Sequence, residues 1–398
     1  MRTRGRIAIL VAFISLVVIG ASALSPRLTA MALIVRVAKQ QGALVRLATL
    51  VAGKIHEGPI VTLPTRHGPV EARLYSPARP ARRTAILVPG LHMDGVREER
   101  LVGLARELAA AGMQILTVAP PALARYHVTT ESTDELEDAI AWAADRKELA
   151  PDGRVGVMGI SFAGGLALVA AGRPAVREKV AFVLSFGGHG DLRRVLRYLC
   201  LGESGELDDR ARSLAEGGEH IHVPRPHDYG GAVSLLNLAE RAVPAAQVAS
   251  LEEAITVFLH ASSIDRLDTP RAMAHFARAR ELGQALPEPG RTLMGLVNER
   301  DVAGLGRALA PLLATLELPA ALSAERSPAP TAPVFLLHGT DDSVVPASEM
   351  IFLAERLRAT THVRAFATQL ITHAEANRAA ALSEMWRLAG FWRELLER

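Results

Sequence analysis

The segment 155–165, Val-Gly-Val-Met-Gly-Ile-Ser-Phe-Ala-Gly-Gly, constrains the fold more than any other part of the chain. An apolar strand breaks at Gly159 into a serine and then into a run of small residues. A serine presented between a strand and a helix needs so tight a backbone bend that large neighbouring side chains collide, and Gly159 and Ala163 meet that need. The same bend places Ser161 at the N-terminus of the next helix, where free N–H groups and the helix dipole favour an anion. Ser161 is therefore a candidate nucleophile, set against the plainer reading of an ordinary strand-to-helix turn. The usual signature carries glycine where Ala163 stands.

Around this turn the chain alternates short apolar strands with amphipathic stretches. Residues 60–63 and 70–75, separated by Arg66-His67-Gly68-Pro69, read as a β-hairpin. Strands are expected at 84–88, 114–118, 154–158, 180–184, 333–337 and 362–367. Helices are expected at 98–111, after Ser161 and at 374–396, with one from a capping box at Ser132-Thr-Asp-Glu135 to about residue 147. Such alternation implies parallel βαβ units, and the leading hairpin adds an antiparallel edge. The expected fold class is α/β: a mixed, mostly parallel sheet flanked by helices. Strands give way to helical pieces at 188–332, such as 232–242, 251–261 and 303–316. This reads as an inserted helical cap, returned to the sheet by a proline-rich connector ending at Pro333. The sheet body is then 56–187 with 333–398.

The N-terminus stands apart. Arg2, Arg4 and Arg6 precede an uncharged, mostly apolar run from Ile7 to Leu24 that ends in small residues, the layout of a signal peptide. The run is also just long enough to span a bilayer, so residues 1–24 are expected to be a cleaved signal peptide or a membrane anchor. Export, with the body on the extracytoplasmic side of the cell envelope, is the favoured localisation. Residues 25–55 read as a basic amphipathic helix, lying on a membrane surface or packed on the body.

Composition narrows the function classes. Apolar residues make up 49% and charged residues 22% of 398, enough for a large core, and 4% aromatic content gives little surface for stacking bases. A net charge of +3, with arginines scattered among acids, speaks against nucleic acid. The lone cysteine, Cys200, excludes an internal disulfide and reads as a buried packing residue.

A serine needs a base, and the base needs a group to orient it. His338-Gly-Thr-Asp-Asp342-Ser-Val-Val-Pro346 follows a strand directly, at the sheet edge where open α/β folds keep their sites. Ile371-Thr-His373-Ala-Glu375 follows the last strand. The order is Ser161, Asp342, His373, with Asp341 as the alternative acid.

In these three motifs the chain resembles the α/β-hydrolase superfamily, from about residue 60 to the end apart from the cap. The resemblance implies Ser161 as nucleophile, His373 as general base and then acid, and Asp342 as the group that orients the imidazole. It also implies an oxyanion hole from the backbone N–H groups of Phe162 and Leu91. In the Leu91 loop, Pro89 occupies the place where the family more often has histidine. The implied activity is hydrolysis of a carboxylic ester through an acyl-enzyme, needing no cofactor and no metal. The cap and the N-terminal segment point to an apolar or lipid-derived small-molecule substrate and to membrane association. Acyl transfer or peptidase chemistry on the same triad, and a non-catalytic membrane-associated binding protein, stay open as alternatives.

The other histidines read more plainly. His92 is expected to lie on the surface or brace its loop, with contact to substrate as the alternative, and His189 to lie near the mouth of the site. Glu219-His220-Ile-His222 with His227-Asp228 has metal-ligand residue types but no ligand spacing.

Overall fold

A computed structural model describes residues 26–37, 43–202, 223–265, 268–369 and 378–398. Its centre is one sheet of eight strands: β1 (Ile55–Thr65), β2 (Gly68–Pro77), β3 (Thr84–Val88), β4 (Gln114–Ala119), β5 (Val155–Ile160), β6 (Val180–Phe186), β7 (Val334–Gly339) and β8 (Val363–Thr368). Their spatial order is β1-β2-β4-β3-β5-β6-β7-β8. β1 pairs antiparallel with β2, and β2 with β4; every later pairing is parallel. The mixed sheet with an antiparallel hairpin at one edge is as the sequence predicts. β3 and β7 are buried along their whole length, as the inner strands of a sheet covered on both faces must be.

Period-two alternation sorts the strand side chains between two cores. Ile86, Val88, Val157, Val183 and Leu336 face the helices Thr130–Ala144 and Phe162–Gly172 and the insertion. Leu87, Met158, Leu184, Phe335 and Leu337 face the opposite way, against the helices Glu99–Ala110 and Arg378–Leu396. Burying two such faces at about 25 cal/mol per Å² of apolar surface is the main drive to fold.

Between β6 and β7 the described chain is helical: Leu192–Leu201, Asp228–Asn237, Ala239–Ala242, Ala245–Ile264, Thr269–Ala285, Gly290–Asn298 and Val302–Ala314. Two of these, Thr269–Ala285 and Gly290–Asn298, escape the sequence reading. The first buries Ala272, Phe276, Ala279 and Gly283, a helical stripe of mostly small residues that hydropathy hardly registers. Residues 203–222, with Glu219, His220 and His222, lie outside the described residues. His227 is engaged locally: its Nδ1 accepts from Tyr229 N–H at 3.1 Å and its ring contacts Asp228.

Part of the segment 25–55 lies outside the described residues, and its C-terminal end is strand. Helices span 26–37 and Ala43–Val51, and Ile55 already begins β1. The first packs on the body through Ala30 and Leu33, with an Arg36–Glu107 ion pair at 2.7 Å and Arg27 over the Trp386 ring. Among the described residues no helix is long and apolar enough to cross a membrane, and residues 1–24, the expected signal or anchor, lie outside them.

Candidate active site

Ser161 closes β5 in a backbone conformation that side-chain-bearing residues seldom adopt, φ 54° and ψ −133°. Its N–H donates to Phe186 C=O of β6 at 2.7 Å, and its own carbonyl accepts from Gly164 N–H at 2.7 Å. Gly159 is indispensable here, since a Cβ at that position would stand 2.2 Å from the Ala163 carbonyl. Ala163 replaces the signature glycine without harm because its methyl lies in the buried core. Ser161 itself is half-buried, the first helical residue Phe162 is buried, and the helix N-terminus faces the serine.

Three loops at the carboxyl ends of neighbouring strands meet this turn. After β3, Gly90 packs on the serine: a Cβ there would sit 3.2 Å from Ser161 Cβ and 3.9 Å from Oγ. The Leu91 carbonyl in the same loop accepts a hydrogen bond from Tyr229 of the insertion at 3.1 Å. After β6, Gly187 lies close to the acid, with its Cβ position 3.4 Å from Asp342 Oδ2. After β7, Asp342 Oδ1 accepts from the N–H groups of Val344 and Val345 at 2.9 and 3.0 Å, which fixes the carboxylate. Burial raises the Asp342 pKa, while the neighbouring His338 and these two N–H donors pull it down. Asp341 next to it is exposed.

His338 is a brace for this loop. It is buried, donates from Nε2 to the Val345 carbonyl at 2.8 Å and stands 3.7 Å from Asp342 Oδ2. The insertion touches the same loop through His227 N–H to the Ser343 carbonyl at 3.0 Å. His189 departs from its expected place near the mouth. It is fully buried, with Nε2 at 3.0 Å from the Leu322 carbonyl and its ring stacked at a tilt on Phe162. The apolar surroundings push its pKa down. His92 is likewise buried in its loop, its Nδ1 accepting from Asp94 N–H at 3.3 Å. Cys200 is buried, and desolvation pushes its thiol up to about 11.

His373 lies outside the described residues, as does the rest of 370–377, between the C-terminal end of β8 and the last helix. Ser161, Asp342, Leu91 and Phe162 are drawn to one edge of the sheet by their strands.

A buried ion cluster, not foreseen from sequence, ties this edge to the insertion. Glu349, 0% exposed, accepts from Gly190 and Asp191 N–H at 2.8 and 3.1 Å and from Arg194 Nε at 2.5 Å. Arg194 also holds Glu325, which lies where the insertion returns to the sheet. Nothing in the sequence pairs residues so far apart; only the shared loop edge brings them together.

No family model and no curated protein matches the chain. Solved structures similar to it include brefeldin A esterase, a bacterial homologue of human hormone-sensitive lipase, at 14% identity and TM-score 0.41, covering 87% of this chain and 78% of that one. A hyperthermophilic esterase from the archaeon Pyrobaculum calidifontis is similar at 14% identity and TM-score 0.40, covering 94% and 93%. Est1E from Butyrivibrio proteoclasticus is similar at 12% identity and TM-score 0.44, covering 86% and 100%. With six parallel strands in the order β4-β3-β5-β6-β7-β8, an antiparallel hairpin at one edge and a strained serine between β5 and its helix, this chain has the α/β-hydrolase fold.

Proposed function

We propose that the chain is a serine hydrolase of carboxylic esters working through an acyl-enzyme. The observation that carries this reading is the strained Ser161 at a helix N-terminus, with Gly90 packed on it and the fixed carboxylate of Asp342 two strands away. Ser161 Oγ attacks the ester carbonyl while His373 takes its proton, and Asp342 orients the imidazole and stabilises its cation. The N–H groups of Phe162 and Leu91 hold the oxyanion, each worth about 3 kcal/mol in the barrier. Collapse breaks the bond to the alcohol, which leaves with the proton from His373; water then forms the acid and frees Ser161.

The acyl half that suits the site is apolar, since a hollow beside Phe162 is walled by Leu192, Leu196, Val233 and Leu316. The hollow is only about 50 Å³ and suits a short acyl group; a series of acyl lengths tests the lipid-derived alternative directly. Export or tethering through residues 1–24 belongs to the same proposal, supported by their basic-then-apolar layout.

The test is turnover of short aryl esters by the intact chain and by Ser161→Ala. The variant is expected to lose roughly 10⁴-fold or more in kcat. Equal turnover by both would remove Ser161 from the role. An added alcohol acceptor separates acyl transfer from hydrolysis, because only a transferase yields the new ester in preference to acid; peptide substrates test the peptidase alternative. A non-catalytic binding protein would turn over none of them.

A further inference from the structure

The start of the loop after β3 is short of groups to hold it: Pro89 has no N–H to donate and Gly90 no side chain. The loop's own turns close further on, where Gly95 N–H donates to His92 C=O at 3.1 Å and Arg97 N–H to Asp94 C=O at 2.8 Å. Leu91 lies before them. Its side chain is buried, and its carbonyl accepts from the Tyr229 hydroxyl at 3.1 Å. Because the peptide unit is planar, that bond fixes the Leu91–His92 plane and with it the rotation at Leu91 Cα. On the other side, the contact of Gly90 with Ser161 fixes where the preceding peptide lies. The Leu91 N–H sits between these two restraints.

Tyr229 belongs to the insertion and is itself held from several sides. It is the second residue of the helix Asp228–Asn237, and its N–H donates to His227 Nδ1 at 3.1 Å and Asp228 Oδ1 at 2.9 Å. Asp228 accepts in turn from Arg300 Nη1 at 2.8 Å. The phenol ring meets Tyr126 edge to face at 6.5 Å. At the far end of the helix, Asn237 Nδ2 donates to the Tyr126 carbonyl at 3.0 Å and its Oδ1 accepts from Val128 N–H at 3.0 Å. Both ends of the helix are thus fastened to the sheet body. Burial pushes the Tyr229 phenol pKa up, so the hydroxyl stays protonated, and a donor, throughout the neutral range.

The same end of this helix reaches the acid. His227 N–H donates to the carbonyl of Ser343, the residue after Asp342, at 3.0 Å. Three successive residues of the insertion therefore bridge the Leu91 loop and the Asp342 loop. We propose that Tyr229 is a positioning residue for the reaction: its hydroxyl, through the Leu91 carbonyl, aims the Leu91 N–H at the oxyanion, and the segment 227–229 couples the insertion to both loops. The effect is one of geometry, since the carbonyl and the N–H of Leu91 belong to different peptide units. This deepens the reading of Ser161 as nucleophile and Leu91 as oxyanion donor and rests on it.

The test is turnover of short aryl esters by the full chain, by Tyr229→Phe and by Ser234→Ala. Tyr229→Phe keeps the ring and removes one hydroxyl. Ser234→Ala removes a bond on the same helix, from Oγ to Gly230 C=O at 2.9 Å, and leaves the phenol in place. Tyr229→Phe is expected to lose about tenfold in kcat with KM changed by less than about twofold, because the oxyanion is present in the transition state and not in the bound ester. The loss should be constant through the neutral pH range, where the hydroxyl does not titrate. Affinity for an aryl trifluoromethyl ketone, whose adduct with serine carries an oxyanion, is expected to fall by the same factor. Ser234→Ala is expected to keep the parent kcat. Amide hydrogen exchange over residues 90–95 supplies a readout independent of turnover: faster than the parent in Tyr229→Phe, unchanged in Ser234→Ala. Unchanged kcat in Tyr229→Phe beside an active parent, or an equal loss in Ser234→Ala, would overturn the positioning role and leave the hydrolase reading intact. Faster loop exchange in Tyr229→Phe with no ester turned over by any form would support the hold of Tyr229 on the loop and remove the hydrolase reading.

Discussion

Ser161 is held in a conformation that costs on the order of 1–3 kcal/mol, so its surroundings must over-determine it. They do so through the bonds to Phe186 and Gly164 and through the absence of a side chain at Gly159 and Gly90. Gly90→Ala is the sharpest test of this. The added methyl would crowd Ser161 Cβ at 3.2 Å, which a shift of a few tenths of an ångström relieves. The fold should survive, with an unfolding midpoint near that of the parent, while kcat for an aryl ester drops by roughly tenfold or more through misplacement of the nucleophile. An unchanged kcat would mean that this loop does not bear on the serine. At this scale much was readable beforehand, because a tight strand-to-helix turn leaves a local signature in Gly159-x-Ser161. The need for glycine at 164 and 165 was not, because it comes from Ser185, Gly188 and His189 across the β6 loop.

The helix Thr130–Ala144 illustrates how an element can be found and its start misassigned. The expected capping box at Ser132 and Glu135 is replaced by Thr129, whose side chain accepts from Ser132 N–H. Glu135 is thereby carried into the buried face, where desolvation lifts its pKa to about 7, with His67, Glu131, Arg125 and Asp134 around it. The native state then holds this proton more tightly than the unfolded chain. Its contribution is intact below about pH 4.5 and is lost as pH rises through about 7. Glu135→Gln should therefore stabilise the protein at pH 8 by on the order of 2–3 kcal/mol and by little at pH 4.5. Urea unfolding at the two pH values checks this, and an equal effect at both would contradict it.

The Arg194 cluster works between elements. It joins the β6 loop, the first helix of the insertion, the return segment at Glu325 and the helix Ser348–Arg358 that follows the Asp342 loop. Arg194→Ala would leave the buried Glu349 carboxylate without its cation and is expected to cost about 3–5 kcal/mol. A shift in the urea midpoint measures it; a shift below about 1 kcal/mol would show the pair to be dispensable. Charged residues over a hundred positions apart give no periodic signal, so this cluster was invisible in the sequence.

For the whole molecule, alternation of short apolar strands with helices carried the fold class, and the turn at Arg66-His67 carried the antiparallel edge. The crossed strand order, with β4 outside β3, has no local signal; it follows from packing helices on both faces of the sheet. The insertion was visible as a break in strand pattern and several of its helical pieces were legible, but the helices Thr269–Ala285 and Gly290–Asn298 were not. What the fold accomplishes is to deliver Ser161, Asp342 and the β3 loop to one edge from strands widely separated in sequence. Reactivity of Ser161 is the central claim that follows. Incubation of the intact protein with a fluorophosphonate probe, followed by mass mapping, tests it most directly. The account predicts one covalent adduct, on Ser161, absent after Ser161→Ala; no adduct, or an adduct on another residue that persists in the variant, would contradict it.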